Sequence, residues 1–250
     1  MADEQAERPK IGDVGRAIAW ILFICVVVAL LYPAIPSSRH IHGRRDSCAN
    51  NIKQIGLALN AYHDQYHCFP PAYIADSDGK PMHSWRVILL PFFEEAGLKT
   101  LYEQYDFSEP WNGPHNSKLA VEFSIYCCPS ADEAPFSTNY VAVVGEETVW
   151  PGTRGMLLGN VTDGKSKTIS VVEVANSGIH WMEPRDLTFA EAQRGINIPG
   201  VKPGISSNHA GGAQFLFCDG SVHFLSDKIP AETLRALLTA EGGEMVEIPD

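Results

Sequence analysis

An α+β fold is what this sequence predicts, helices first and mostly antiparallel strands after them. Three observations predict it. A long uncharged run near the N-terminus leads into a stretch whose apolar residues recur at spacings of four and three. After Lys118 the pattern changes to short runs rich in β-branched and aromatic residues, separated by turn residues. Near the C-terminus two such runs are joined by Asp219-Gly220, a strong local signal for a hairpin. With 250 residues, 45% of them hydrophobic and 20% charged, the chain can bury the core of one domain.

The first element is the run from Ala17 to Ile35, AIAWILFICVVVALLYPAI, which holds 19 residues and no charge. About 20 residues of helix cross a ~30 Å hydrocarbon layer. The run therefore predicts a cytoplasmic tail over 1–16, a transmembrane helix over 17–35 in contact with membrane lipid, and an extracytoplasmic domain over 46–250. Cleavage is disfavoured, because Tyr32-Pro33-Ala34 is a poor small-x-small site. Basic residues tie across the run, with Arg8, Lys10 and Arg16 before it and Arg39, Arg44 and Arg45 after it. The orientation thus rests on the short tail and the large acidic body. From Asp46 onward 13 basic residues face 26 acidic ones, a net charge of -13. Such a surface argues against nucleic acid as a partner, since phosphate affinity comes from lysine and arginine.

A second helix follows past the Pro33 to Gly43 breakers. Cys48, Ile52, Ile55, Leu59, Tyr62 and Tyr66 form one apolar stripe; Asp46 or Ser47 is its expected N-cap, and Pro70-Pro71 bars its continuation. A loop is expected at Asp76 to Lys80, a helix over Trp85 to Tyr105, and an irregular stretch over Glu109 to Asn116. Strands are expected at Phe123 to Cys127, Asn139 to Val144 and Lys167 to Val174. Ala213 to Cys218 and Ser221 to Leu225 make the hairpin, closed by a type I′ turn. A last helix runs from Pro230 to Ala240, before Gly242-Gly243.

Several residue groups invite chemistry. Outside the first apolar run five cysteines remain, at 48, 68, 127, 128 and 218, with no CxxC and no zinc-like Cys/His spacing. No metal site and no cofactor are expected from them. Cys127 and Cys128 do not bridge each other, because their Cα atoms lie only ~3.8 Å apart. His63 and His67, with Asp64 between, have a ligand spacing but no third ligand. Asp76, Asp78 and Gly79 begin like a calcium loop and then lack its later acids. Glu173 and Asp163 read as a strand-end carboxylate and a turn residue. Trp85, Phe92, Phe93, Tyr102, Tyr105 and Trp111 read as core, with a ligand groove as the alternative. A hydrolase would need a nucleophile, a base and an acid brought together, and GxSxG is absent around Ser206 and Ser207. Near the C-terminus His209, Gly211, Gly212, Asp219 and Gly220 stand out as one motif. It reads as a folded corner in which His209 bonds to turn backbone or reaches Asp219, with a recognition role on its surface as the alternative.

Six motifs in order resemble a known family: CANNIKQIGLALNAYHDQYHCFPPAY, SWRVILLPFFEEAGL, YDFSEPWNGPHN, YCCPS, TDGKSKTISVVE and NHAGGAQFLFCDGSVHFL. Together they resemble the pseudopilin-like bacterial family called domain of unknown function 1559, whose hallmark, a histidine, nine residues, then Asp-Gly, corresponds here to His209 and Asp219-Gly220. The resemblance spans roughly residues 17 to 245. It implies a type II secretion pilin-like build: an inner-membrane helix, a continuation helix packed on an antiparallel sheet, and a periplasmic body that works through envelope protein partners without catalysis. The prepilin processing signal of such proteins is not kept, since Arg16 follows Gly15 and Trp20 stands where a glutamate would. This chain therefore reads as a tethered, non-polymerising version, with a tethered solute- or sugar-binding module as the alternative.

Overall fold

The computed structural model describes residues 11–31, 38–132, 134–244 and 246–248. They divide into two compact units, Met1–His42 and Gly43–Asp250. The first contains α1 (Ile11–Leu31), an apolar helix on which seven large side chains between Ile18 and Val26 are exposed. Among the described residues no helix is long and apolar enough to cross a membrane. The predicted span 17–35 ends at residues 32–35, which lie outside the described residues.

Helix α2 (Ser38–Tyr66) starts earlier than the sequence predicts. Neither Asp46 nor Ser47 caps it. Ser47 Oγ instead donates to the Gly43 carbonyl at 2.8 Å, the back-bond of a serine inside a helix. The helix ends as expected before the prolines, with His67 turned into the left-handed region at φ 60°. The predicted helix over Trp85 to Tyr105 is broken into α3 (Trp85–Ile88), a 3-10 turn (Leu90–Phe92) and α4 (Ala96–Gln104). Pro91 is the reason, because it has no N–H to donate and its ring clashes with the preceding turn. The strand expected at Phe123 to Cys127 is a 3-10 turn, Ser124–Tyr126, within a loop.

The expected loop at Asp76 to Lys80 joins two short strands, β1 (Tyr73–Ala75) and β2 (Pro81–Ser84), which pair antiparallel. The main sheet has five strands: β3 (Tyr140–Val144), β4 (Ile169–Glu173), β5 (Leu187–Thr188), β6 (Gly212–Phe217) and β7 (Val222–Ser226). Their order is β5-β3-β4-β6-β7. All pairs are antiparallel except β3 with β5. Two short helices complete the body, α5 (Phe189–Ala192) and α6 (Ala231–Leu238).

Both faces of this sheet are covered, so its central strands are buried along their whole length instead of alternating. On one face the stripe Cys48, Ile52, Ile55 and Leu59 of α2 packs in a cluster with Tyr140, Ala142, Val171 and Leu216. On the other, Leu234, Leu237 and Leu238 of α6 pack with Val141, Val143, Val172 and Phe215. A register shift between Ile169 and Val171 places these two residues in opposite clusters, although alternation would put them together. Gly56 lets α2 lie close to the sheet, because a Cβ there would meet Leu216 Cδ1 at 2.7 Å.

The hairpin forms where the sequence places it, but its turn differs. Gly220 N–H donates to the Phe217 carbonyl at 2.9 Å, and Phe217 N–H to Ser221 at 2.9 Å. The loop is therefore Cys218, Asp219 and Gly220, and of these Gly220 alone has positive φ, 81°. This is the three-residue turn with a glycine bulge, not the two-residue type I′ turn.

Candidate functional site

The α2 stripe places Cys48 against the ends of β3 and β4. There Tyr140 opens β3 and pairs across the ladder with Glu173, which closes β4. The Tyr140 hydroxyl lies 3.0 Å from Cys48 Sγ and 3.3 Å from the Cys48 carbonyl. Cys48 Sγ in turn lies 3.4 Å from Glu173 Oε1. Two loops complete the group. Cys128 follows the 3-10 turn, its N–H held by Asn139 Oδ1 at 2.7 Å. His209 precedes β6, its N–H held by Ser207 Oγ at 3.0 Å, and its Nε2 is 3.4 Å from Cys128 Sγ.

The four donor atoms of Cys48, Cys128, Glu173 and His209 all lie within 4.8 Å of one another, and all four residues are buried. None of these cysteines is in a disulfide. Without a cation the Cys48 thiol is pushed far above its ordinary value, first by its hydrogen bond with Cys128, then by burial and by the Glu173 carboxylate. Burial likewise keeps the Tyr140 phenol protonated. Glu173 Oε2 accepts the Gln214 N–H at 3.0 Å, yet among the described residues no lysine or arginine forms an ion pair with it.

Nothing in the local sequence pointed here. Cys48 and Glu173 are 125 residues apart in the chain, and Cys128 and His209 are 81 apart, so no spacing rule for metal ligands applies. The usable signal was the chemistry of isolated residues, a strand-end glutamate and a histidine held in a loop.

The other sequence candidates are not brought together. His209 and Asp219 stand at opposite ends of β6, whose six residues span about 20 Å, so the expected contact between them does not form. Asp219 Oδ1 caps its own turn, accepting from Ser221 N–H at 2.8 Å and Ser221 Oγ at 2.6 Å. Gly211 has φ +87°, and a Cβ on Gly212 would lie 2.0 Å from the Leu225 carbonyl oxygen, so both glycines are architectural. The Gly220 carbonyl accepts from Lys53 of α2 at 2.6 Å, which ties the hairpin tip to the helix. His63 is next to Asp64 at 3.8 Å, and among the described residues it joins no group of three or more metal-ligating side chains. Asp76 Oδ1 accepts the N–H groups of Asp78 and Lys80, as in a solvated turn. Asp163 accepts from the N–H groups of Gly242 and Gly243 and anchors the C-terminal segment.

The aromatic residues divide between two roles. Trp85, Phe123, Tyr126 and Trp181 are buried in the core. Tyr62, Tyr66, Phe92, Tyr102 and Phe107 line an open groove of about 680 Å³ together with Gln65. Burial pushes the Tyr62 phenol up to about 12.

Residues 42–159 and 178–232 match the family model described as protein of unknown function (DUF1559). The chain belongs to this family. No curated protein and no solved structure matches it. Cys48, Cys128 and His209 of this DUF1559 chain lie inside the matched stretches; Glu173 lies in the segment between them.

Proposed function

We propose that this DUF1559 protein is a membrane-anchored, extracytoplasmic, pseudopilin-like module with a structural or secretion-associated role, acting through contacts with envelope proteins and without catalysis. The observation that carries the reading is α1, whose seven large apolar side chains between Ile18 and Val26 are exposed. Soluble surfaces seldom present apolar area on that scale, and the uncharged run continues to Ile35. A long helix laid across an antiparallel sheet, as α2 is, suits the pilin-like part of the reading.

The test is the mass and N-terminal sequence of the native protein extracted from membranes. A chain that retains residues 17–35 and resists alkaline carbonate extraction supports a permanent anchor. A body found in the soluble fraction without this run overturns it. A chain starting just after Gly12 or Gly15 with a methylated amine would instead mean that pilin-type processing and assembly survive.

The groove at Tyr62, Tyr66 and Phe92 favours a second reading, a tethered module that captures a small solute. Aromatic faces beside polar groups such as Gln65, Lys99 and Glu103 suit sugars or peptides, and the family model's label, SBP_bac_10, points toward a binding-protein-like module. A rise in melting temperature with a member of a sugar and peptide panel, abolished by Tyr66→Ala, supports this reading. The panel leaving the melting temperature unchanged counts against it.

A further inference from the structure

The cluster beneath the N-terminal half of α2 is not explained by anchoring or by the groove. We propose that Cys48, Cys128, Glu173 and His209 form a closed, four-coordinate structural zinc site that fastens α2 to the sheet and to the loops before β3 and β6.

The donor set is the first ground. Two thiols, an imidazole nitrogen and a carboxylate oxygen are all zinc ligands, and four protein donors make a structural site with no open position. Distances are the second. With bonds of about 2.3 Å to sulfur and 2.0 to 2.1 Å to nitrogen or oxygen, neighbouring donors around a tetrahedral zinc stand about 3.3 to 3.8 Å apart. Cys48 Sγ to Glu173 Oε1 and Cys128 Sγ to His209 Nε2 are each 3.4 Å, and all donor atoms lie within 4.8 Å of one another. Modest closing of the remaining pairs around one ion completes the tetrahedron.

Charge is the third ground. Glu173 is 1% exposed and, among the described residues, has no cationic partner. A carboxylate buried without a cation is unstable relative to one that has it. A divalent ion supplies that charge; as it binds, the two thiols release their protons to solvent and become thiolates. The surroundings then fit an outer layer that orients the ligands. Gln214 N–H holds the second Glu173 oxygen at 3.0 Å, and the Tyr140 hydroxyl lies 3.0 Å from Cys48 Sγ. An access route exists as well, since Cys128 lines an open depression of about 370 Å³ with Phe123, Phe136 and Asn139.

The site joins four chain segments that no other covalent link holds, and this gives zinc a structural use. Crosslinking of that kind turns metal affinity into folding free energy. The same two thiols could instead form a Cys48–Cys128 disulfide outside the cytoplasm, and the test separates the two.

The full-length chain, purified in detergent under reducing conditions, is analysed for bound metal, then stripped with a chelator and titrated with Zn(II) and separately with Co(II). The expected result is about one zinc per chain, a clear rise in melting temperature on adding Zn(II), and a Co(II) spectrum with thiolate charge-transfer absorption and tetrahedral visible bands. Cys128→Ser and His209→Ala should abolish stoichiometric binding. The Co(II) spectrum of the unaltered chain stands even if these variants fold poorly. The proposal is overturned if the stripped, reduced protein takes up no zinc above background, if Co(II) binds without a thiolate band, if the variants retain full stoichiometry, or if mass spectrometry of the native protein finds Cys48 joined to Cys128.

Discussion

His209 Nε2 lies 3.4 Å from Cys128 Sγ, a residue 81 positions earlier, while the Asp219 carboxylate at the far end of β6 accepts from Ser221 of its own turn. The two halves of one sequence motif therefore do separate jobs. His209 joins the buried cluster that involves α2 and the sheet. Asp219 and Gly220 set the hairpin and bring its tip to Lys53.

This separation predicts that the halves can be damaged independently. Asp219→Ala should lower stability by about 0.5 to 1 kcal/mol, the net worth of an ordinary hydrogen bond, and leave thiol reactivity at Cys128 unchanged. His209→Ala should expose Cys128 to a thiol reagent. Urea denaturation read alongside the rate of Cys128 labelling distinguishes them, and equal labelling of both variants would refute the division.

The paired glycines before β6 should differ as sharply. Gly211→Ala forces an L-residue to φ +87° in open space, a penalty of about 1 to 2 kcal/mol. Gly212→Ala drives a Cβ into the Leu225 carbonyl oxygen and must part β6 from β7, so it should cost about 3 kcal/mol or more. Denaturation midpoints that reverse this ranking would remove the close-approach account.

Beneath the sheet's α2 face, Arg86 and Asp186 form a buried ion pair at 2.5 Å. Further bonds hold this centre: Arg86 also donates to the Tyr140 carbonyl, Ser84 Oγ and the Glu183 carbonyl, while Asp186 Oδ1 also accepts from Trp85 Nε1 and Ala142 N–H. Removing one charge leaves the other buried and unpaired. Arg86→Met alone and Asp186→Asn alone should each cost about 3 to 5 kcal/mol, and the double variant clearly less than their sum. Additive losses in a double-mutant cycle would mean the pair is not coupled.

These residues also show what a sequence can disclose. The stripe Cys48, Ile52, Ile55 and Leu59 was legible because a helix buries one face with period 3.6, and β3, β4 and the hairpin strands were legible from their β-branched and aromatic runs. Element ends were less so: whether Gly43 interrupts α2 or Pro91 splits the next helix depends on packing that local propensity does not see. The buried cluster was illegible for a stronger reason. Its members come from four segments, and only the antiparallel register that sets Tyr140 opposite Glu173 brings them to one point. Arg86 with Asp186, likewise about a hundred residues apart, was hidden in the same way.

Acid should weaken the fold through two histidines away from the cluster. Burial holds both His83 and His180 below the ordinary imidazole value. His83 is fixed as the neutral tautomer: the Phe107 carbonyl can only accept, so Nε2 carries the proton at 3.2 Å and Nδ1 accepts from the Tyr105 hydroxyl at 2.9 Å. As pH falls below about 6.5 the unfolded chain binds protons that the folded chain does not yet bind, so stability drops; above that value the contribution is fully present, and below the folded-state values no further loss accrues. Melting temperature of chelator-treated protein should therefore decline as the pH falls through about 6.5 and below. His83→Gln, which can still donate to the Phe107 carbonyl, should flatten part of that decline. A variant with the same pH slope as the unaltered chain would show that protonation at His83 has no part in it.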